Sequence, residues 1–177
     1  MKMKMKTILV TGPIGSGKSE ACRYLASLGF PVYDCDSRTK LLYSLVPGLK
    51  CRIEDALELR WEHIGTVFSD PAKLARLESV VYPYVLEDLR GWIAAQTAPL
   101  RFVESAIALG KPLFDGLFDR VVLVTAPYEV RLARNPKAAE RDALQSFDPA
   151  RIDFTVVNDT TPEEMFIQIR KLICKLI

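Results

Sequence analysis

A chain of 177 residues, 49% apolar and 26% charged, is long enough to enclose one substantial core and has the balance of a water-soluble globular protein. Its formal net charge of +2 gives no reason to expect a broad nucleic-acid surface, and no apolar run approaches the length of a membrane span. Four scattered cysteines (Cys22, Cys35, Cys51, Cys174) without a C-x-x-C pair, beside a single histidine, His63, argue against a structural zinc site and suit a reduced, cytoplasmic setting.

Met1 to Lys6 alternates Met and Lys and reads as a solvated lead-in. The short apolar run after it meets a glycine turn with no small-residue cleavage site. Thr7 to Thr11 is β-branched and apolar and predicts a buried strand. Gly12, Gly15, Gly17, Lys18 and Ser19 then form G-x-x-x-x-G-K-S, the Walker A pattern, between that strand and a helix predicted from Gly17 to Leu28. Glycines at this spacing let successive backbone N–H groups turn inward around phosphate. Lys18 reaches the β- and γ-phosphates, the Ser19 hydroxyl is placed for Mg²⁺, and the helix start adds its positive end.

Gly29 stops the helix, and Phe30 to Tyr33 predicts a second strand, followed by Asp34-Cys35-Asp36. Ligands of open α/β sheets gather at the carboxyl ends of strands, so these aspartates are expected to face the phosphate loop. Helices are predicted over Ser37–Leu45 and Ile53–Phe68. A long one starts with Asp70 as N-cap and Pro71 at N1, to be kinked or split at Pro83. Arg101 to Ile107 predicts a third strand with a functional end. Gly110-Lys111-Pro112 is a turn, Leu113 to Leu117 is of undecided type, and Val121 to Thr125 is apolar enough to be central in the sheet. Pro127 opens a helix carrying Glu129, Arg131 and Arg134. Asn135-Pro136 is expected to begin a mobile segment, with helix resuming near Ala138 and running to Gln145. Phe154 to Val157 predicts the last strand. Thr161-Pro162-Glu163-Glu164 reads as a full capping box at the head of the last helix.

Strands alternate with helices throughout, which predicts a three-layer α/β/α domain with a parallel sheet. The core is expected over about 7–50 and 99–177, with a helical insertion for substrate over about 52–96 and a short lid over about 135–145.

These segments together make the chain similar to dephospho-coenzyme A kinases. The family's T-G-G-I-G-S-G-K-S stands here as Thr11-Gly12-Pro13-Ile14-Gly15-Ser16-Gly17-Lys18-Ser19, and its D-A-D as Asp34-Cys35-Asp36. Val67-Phe68-Ser69-Asp70 matches its V-F-x-D, and Val103 to Ile107 its V-E-S-A-I strand. Asp119, Val121, Leu123, Ala126-Pro127, Glu129, Arg131 and Arg134 follow its long D-x-V-x-V-x-A-P-x-E-x-R-x-x-R pattern. Arg141 and Gln145 match an R-x-x-x-Q element, and Asp153, Val156, Val157, Asn158 and Asp159 match the closing N-D segment. Three places depart from the family. Tyr82-Pro83 replaces His-Pro, Ala108-Leu109-Gly110 replaces an apolar pair with a glutamate, and the stretch between Arg134 and Arg141 is several residues shorter.

The resemblance implies a P-loop fold of the nucleotide-kinase type and ATP- and Mg²⁺-dependent phosphorylation of the ribose 3′-hydroxyl of dephospho-coenzyme A. No nucleic-acid, membrane or obligate protein partner is implied. In that reading the ATP phosphates rest on Gly12, Pro13, Ile14, Gly15, Ser16, Gly17, Lys18 and Ser19, with Glu20 beside them. Ser19 and Asp36 serve Mg²⁺, Asp34 orients or deprotonates the acceptor hydroxyl, and Arg134 and Arg141 clamp the moving phosphoryl group. Asn158 is expected near the adenine. Two other functions remain open from the residues alone: another small-molecule kinase of the same design, and an ATP-binding protein without catalysis.

Overall fold

The apolar run ahead of the glycines forms β1, Lys6–Thr11, in a computed structural model that describes residues 5–142 and 147–177, and for Arg141 the backbone only. The other strands are β2 (Val32–Asp34), β3 (Leu100–Glu104), β4 (Arg120–Thr125) and β5 (Phe154–Val157). All five are parallel, in the order β2-β3-β1-β4-β5. Among the described residues the α-helices are α1 (Lys18–Ser27), α2 (Cys35–Leu45), α3 (Leu49–Leu57), α4 (Pro71–Ala95), α5 (Tyr128–Arg134), α6 (Ala138–Asp142) and α7 (Pro162–Leu176). A parallel sheet flanked by helices is the three-layer α/β/α class expected from the alternation. No helix is long and apolar enough to cross a membrane.

The chain divides into two compact units. One runs to Asp34 and resumes at Ala95; the other is Cys35–Ala94. In the first, side chains alternate across each strand, and Ile8, Val10, Leu100, Phe102, Val122, Val124 and Val156 meet α1 and α7 through Ala21, Cys22, Leu25, Met165, Ile169 and Leu172. At roughly 1.5–3 kcal/mol for each large apolar side chain taken out of water, this layer dominates the stability of the unit. Leu9, Tyr33 and Val103, on the opposite face, are also buried. Tyr24 stacks on Phe166 with ring centroids 4.0 Å apart, tying α1 to α7. Val121–Thr125 was expected to be central; β4 is interior, while the middle place belongs to β1, the strand that feeds the glycine loop.

In the helical unit, two predicted elements differ. The helix expected over Ile53–Phe68 is two pieces, α3 and a 3-10 helix over Trp61–Ser69. The break lies at Glu58, which takes a left-handed φ of 52°. Glu54 supports it from both ends: its carbonyl accepts from Leu59 N and its carboxylate from Trp61 N at 2.7 Å. Conversely, Pro83 does not split α4. Leu77, Val81, Val85 and Leu89 recur every four residues on either side of it and are all buried. Four such burials outweigh the ~3 kcal/mol that an interior proline costs. Asp70 caps α4 as predicted, its carboxylate accepting from Ala72 N and Lys73 N.

Smaller corrections follow from local hydrogen bonding. The third strand stops at Glu104 because the Ser105 hydroxyl accepts from Ile107 N and Ala108 N and turns the chain. The capping box of α7 is half formed. Thr161 accepts from Glu164 N, whereas the Glu164 carboxylate takes the Thr160 hydroxyl instead of returning to the cap. Gln145 and the end of the expected lid lie outside the described residues.

Candidate active site

The sequence Gly12–Ser19 forms a closed cradle between β1 and α1. Gly15 has φ 76°, and a Cβ there would lie 2.6 Å from the carbonyl oxygen of Arg131. Gly17 has φ 96°, and a Cβ would lie 2.1 Å from Asn158 Nδ2. A side chain at Gly15 would force the Arg131 backbone aside and one at Gly17 would displace the Asn158 amide, each at a left-handed φ that favours glycine. Ser16 is fully buried and its hydroxyl has no partner among the described residues; the Thr11 hydroxyl is in the same condition. A buried hydroxyl left unpaired costs about 1–3 kcal/mol, and the oxygens of a phosphate in the cradle supply acceptors of the kind such a loop lacks. With Lys18 and Ser19 opening α1, the helix turns its partial positive end on the same space. The loop therefore fits the phosphates of ATP. Pro13 and Ile14 sit half-buried on its rim, and Glu20 is half-buried in the first turn of α1.

A carboxylate that sequence reading did not single out stands against the loop. Glu104 closes β3, in register with Val10 of β1 and with Asp34 of β2. The Ser19 hydroxyl donates to Glu104 Oε1 at 2.6 Å. A hydroxyl that gives its proton to a carboxylate turns its lone pairs outward, the arrangement a hard cation uses. Below them lies Cys22, 3% exposed. Burial foremost, then the charge and hydrogen bond of Glu104, push its thiol well above the ordinary value of 9.0; Lys18 pulls the other way and Asp34 adds to the rise. Lys18, Asp34, Glu104 and Ser19 thus share one neighbourhood at the carboxyl ends of the strands. The signal that could have identified Glu104 is an acidic residue at the end of an otherwise apolar strand. Its significance depends on β3 lying next to β1, which only the folded sheet reveals.

The opposite wall is built by the segments after β4 and β5. Asn158 is 3% exposed. Its amide donates to Ser16 O at 3.0 Å, and its backbone N–H donates to Thr125 O at 2.8 Å. The Asn158 amide group accordingly faces the loop backbone. Arg134, exposed at the end of α5, donates from Nη1 to the carbonyls of Asn158 and Gly15, at 3.2 and 3.4 Å. One turn earlier, Arg131 is buried and donates to Asp142 through two bonds of 2.6 Å and to Ala126 O at 3.1 Å. That bond to Asp142 raises the guanidinium's pKa and holds the Asp142 carboxyl below its ordinary 3.8. Of the two arginines sharing this helix, Arg131 secures α6 and Arg134 reaches the loop.

The remaining predicted residues separate. Asp34 ends β2 and α2 begins at the next residue, so the D-C-D motif is not extended and its two carboxylates do not share a strand face. Asp36 lies exposed in the first turn of α2, within the helical unit. There Tyr82, in the family's histidine position, donates to Glu78 at 2.8 Å; burial first, then Glu78, raises its phenol far above the ordinary 10. Gly110 ends a 3-10 turn in open surroundings. The Arg141 side chain lies outside the described residues.

A family model described as dephospho-CoA kinase matches residues 6–153. A dephospho-CoA kinase of Porphyromonas gingivalis is 33% identical over 175 residues, an alignment covering 87% of this chain and 86% of that protein. A crystal structure from Thermus thermophilus aligns with a TM-score of 0.78 at 28% identity, covering 98% of this chain and 99% of the other. A shikimate kinase from Acinetobacter baumannii, solved with shikimate, aligns at a TM-score of 0.57 and 18% identity over 98% of this chain and 95% of its own, a likeness of fold alone.

Proposed function

The chain belongs to the dephospho-CoA kinase family, and from that premise we propose that it phosphorylates the ribose 3′-hydroxyl of dephospho-CoA with ATP, the last step of coenzyme A synthesis. What carries this beyond nucleotide binding is Asp34, which stands at the carboxyl end of β2 in register with Glu104, beside the loop. The acceptor oxygen forms its bond to the γ-phosphorus as the bond from that phosphorus to the β–γ bridging oxygen breaks, giving CoA and ADP. Asp34 orients the hydroxyl and takes its proton. Lys18 balances charge on the β- and γ-phosphates, and Arg134, with Arg141 from the lid, steadies the moving group.

Mg²⁺ belongs to the same reading. Ser19 would hold it together with phosphate oxygens and water, with Glu104 as a carboxylate for the water shell, and it would neutralise charge between the β- and γ-phosphates. Among the described residues no three His, Cys, Asp or Glu side chains form a metal cage. That suits an ion which keeps several waters and is carried in with phosphate. The proposed setting is the cytoplasm, with dephospho-CoA as the small-molecule partner and no obligate protein partner implied.

The test is a mass-resolved transfer assay with ATP, Mg²⁺ and dephospho-CoA. A CoA product that grows with time and vanishes in both Lys18→Ala and Asp34→Asn is the expected result. ATP binding without that product would reject the acceptor and direct the search to other small-molecule hydroxyls.

A further inference from the structure

We infer that Asp142 is a positioning residue for phosphoryl transfer: its bridge to Arg131 fixes the end of α6 against the wall of the phosphate loop and so sets the place from which Arg141 acts. This rests on the functional reading above, in which Arg141 steadies the moving group. The Asp142 carboxylate accepts from Nη1 and Nη2 of Arg131, each at 2.6 Å. Two parallel bonds from a planar guanidinium fix direction as well as distance, which one bond does not. The arginine is itself firmly held. It is 8% exposed, and its Nε donates to Ala126 O at 3.1 Å. Its backbone N–H donates to Pro127 O at 3.0 Å and its carbonyl accepts from Asn135 N at 2.8 Å. A Cβ on Gly15 would come within 2.6 Å of that carbonyl oxygen, so the anchor of α6 packs directly on the loop.

A helix as short as α6 depends on anchors of this kind. It has 5 residues, and isolated helices below about 12–15 are marginal in water. Two tethers stand out among the described residues. At the start, Ala138 is fully buried and its N–H donates to Asn135 O at 3.0 Å. At the end stands Asp142, one helical turn on and therefore on the same face as Ala138. Position 141 lies between the two, next to the bridge. Without the bridge, the last turn of α6 is held only from its far end, and the backbone that carries Arg141 is free to fray.

Single-turnover transfer to dephospho-CoA, with enzyme in excess and ATP saturating, keeps slow variants measurable. It is run where circular dichroism shows each variant folded, beside calorimetric ATP binding. Asp142→Asn should lower the transfer rate constant at least about tenfold, as a misplaced catalytic group does. The Kd for ATP should stay within about twofold, since Arg131 keeps its own place on the loop through Ala126 and Pro127. Asp142→Glu, which keeps a charged acceptor pair, should recover most of the rate. In an Arg141→Ala background, Asp142→Asn should slow transfer no further, while it lowers the melting temperature in both backgrounds. A merely structural role would slow both backgrounds alike. An unchanged rate in Asp142→Asn overturns the inference, and so does an equal further loss in the Arg141→Ala background. Full activity in Arg141→Ala overturns it too, by removing the group to be positioned. A wild-type protein that transfers nothing to dephospho-CoA would overturn the functional reading, and the inference with it.

Discussion

Asn158→Asp exchanges one NH₂ for an oxygen and leaves the shape of a buried side chain unchanged, so it isolates the chemistry of a single contact. In the wild-type protein that NH₂ donates to Ser16 O at 3.0 Å from a residue 3% exposed. The side chain has no room to turn away on the loop side, where a Cβ on Gly17 would already lie 2.1 Å from Nδ2. On the other side, its backbone is held by Thr125 O at 2.8 Å. Aspartate therefore opposes an acceptor to an acceptor, and a buried carbonyl that loses its donor costs about 1–3 kcal/mol. The new charge also stands against the backbone of the phosphate loop. Since about 1.4 kcal/mol is a factor of ten, the Kd for ATP should rise at least about tenfold. The melting temperature should fall by roughly 5 °C, at ~2–4 °C per kcal/mol for a chain of this size. Calorimetry and thermal melting measure the two effects, and Asn158→Ala, which removes the donor without adding charge, should lie between. An ATP affinity within twofold of wild type would show that the loop holds its shape without Asn158.

Glu104→Gln should raise the Mg²⁺ concentration needed for half-maximal transfer about tenfold while circular dichroism stays unchanged, because the carboxylate orders Ser19 and not the core. Gly17→Ala should abolish measurable ATP binding, since the new methyl group meets Asn158 Nδ2 at 2.1 Å with φ fixed at 96°; the check is calorimetry beside a folded-state spectrum. Asp142→Asn should lower stability in denaturant titration by about 2 kcal/mol, from two 2.6 Å bonds to a guanidinium 9% exposed, discounted because Asp142 is itself 31% exposed. The same pair sets a pH response. The Asp142 carboxyl is depressed, so its contribution is present above the unfolded value near 3.8 and disappears as pH falls through the lower folded value. The wild-type and Asp142→Asn stabilities should therefore converge only below about pH 4.

The parts of this molecule that could be read from the chain are those whose cause is local. The loop was legible because glycine spacing fixes backbone geometry within eight residues, and the cap at Asp70 because one side chain serves N–H groups two and three residues on. The helix break at Glu58 was hidden, because nothing in that residue announces a positive φ; Glu54 and its bond to Trp61 N produce it. Pro83 misled in the other direction, because burial at four positions along α4 overrules the proline. In the site, the place of Asp34 at the end of β2 was legible from the apolar run before it. The separation of Asp34 from Asp36 was not, since it depends on a helix that starts between them at Cys35. Glu104 escaped notice because its role comes from strand order; Asn158 was singled out, and its bond to the loop backbone depends on β5 lying beside β4.

The middle place of β1 has a consequence for how the protein comes into being. Of the five strands described, β1 leaves the ribosome first, yet its two neighbours begin at Leu100 and Arg120. The wall behind its loop waits for Asn158. Loop closure over such separations is slow and costs entropy before any contact repays it. Until then the nascent chain carries the phosphate-binding sequence without the wall behind it. ATP capture thus waits for the fifth strand and Asn158, and a chain interrupted before the fifth strand should hold the motif without the affinity.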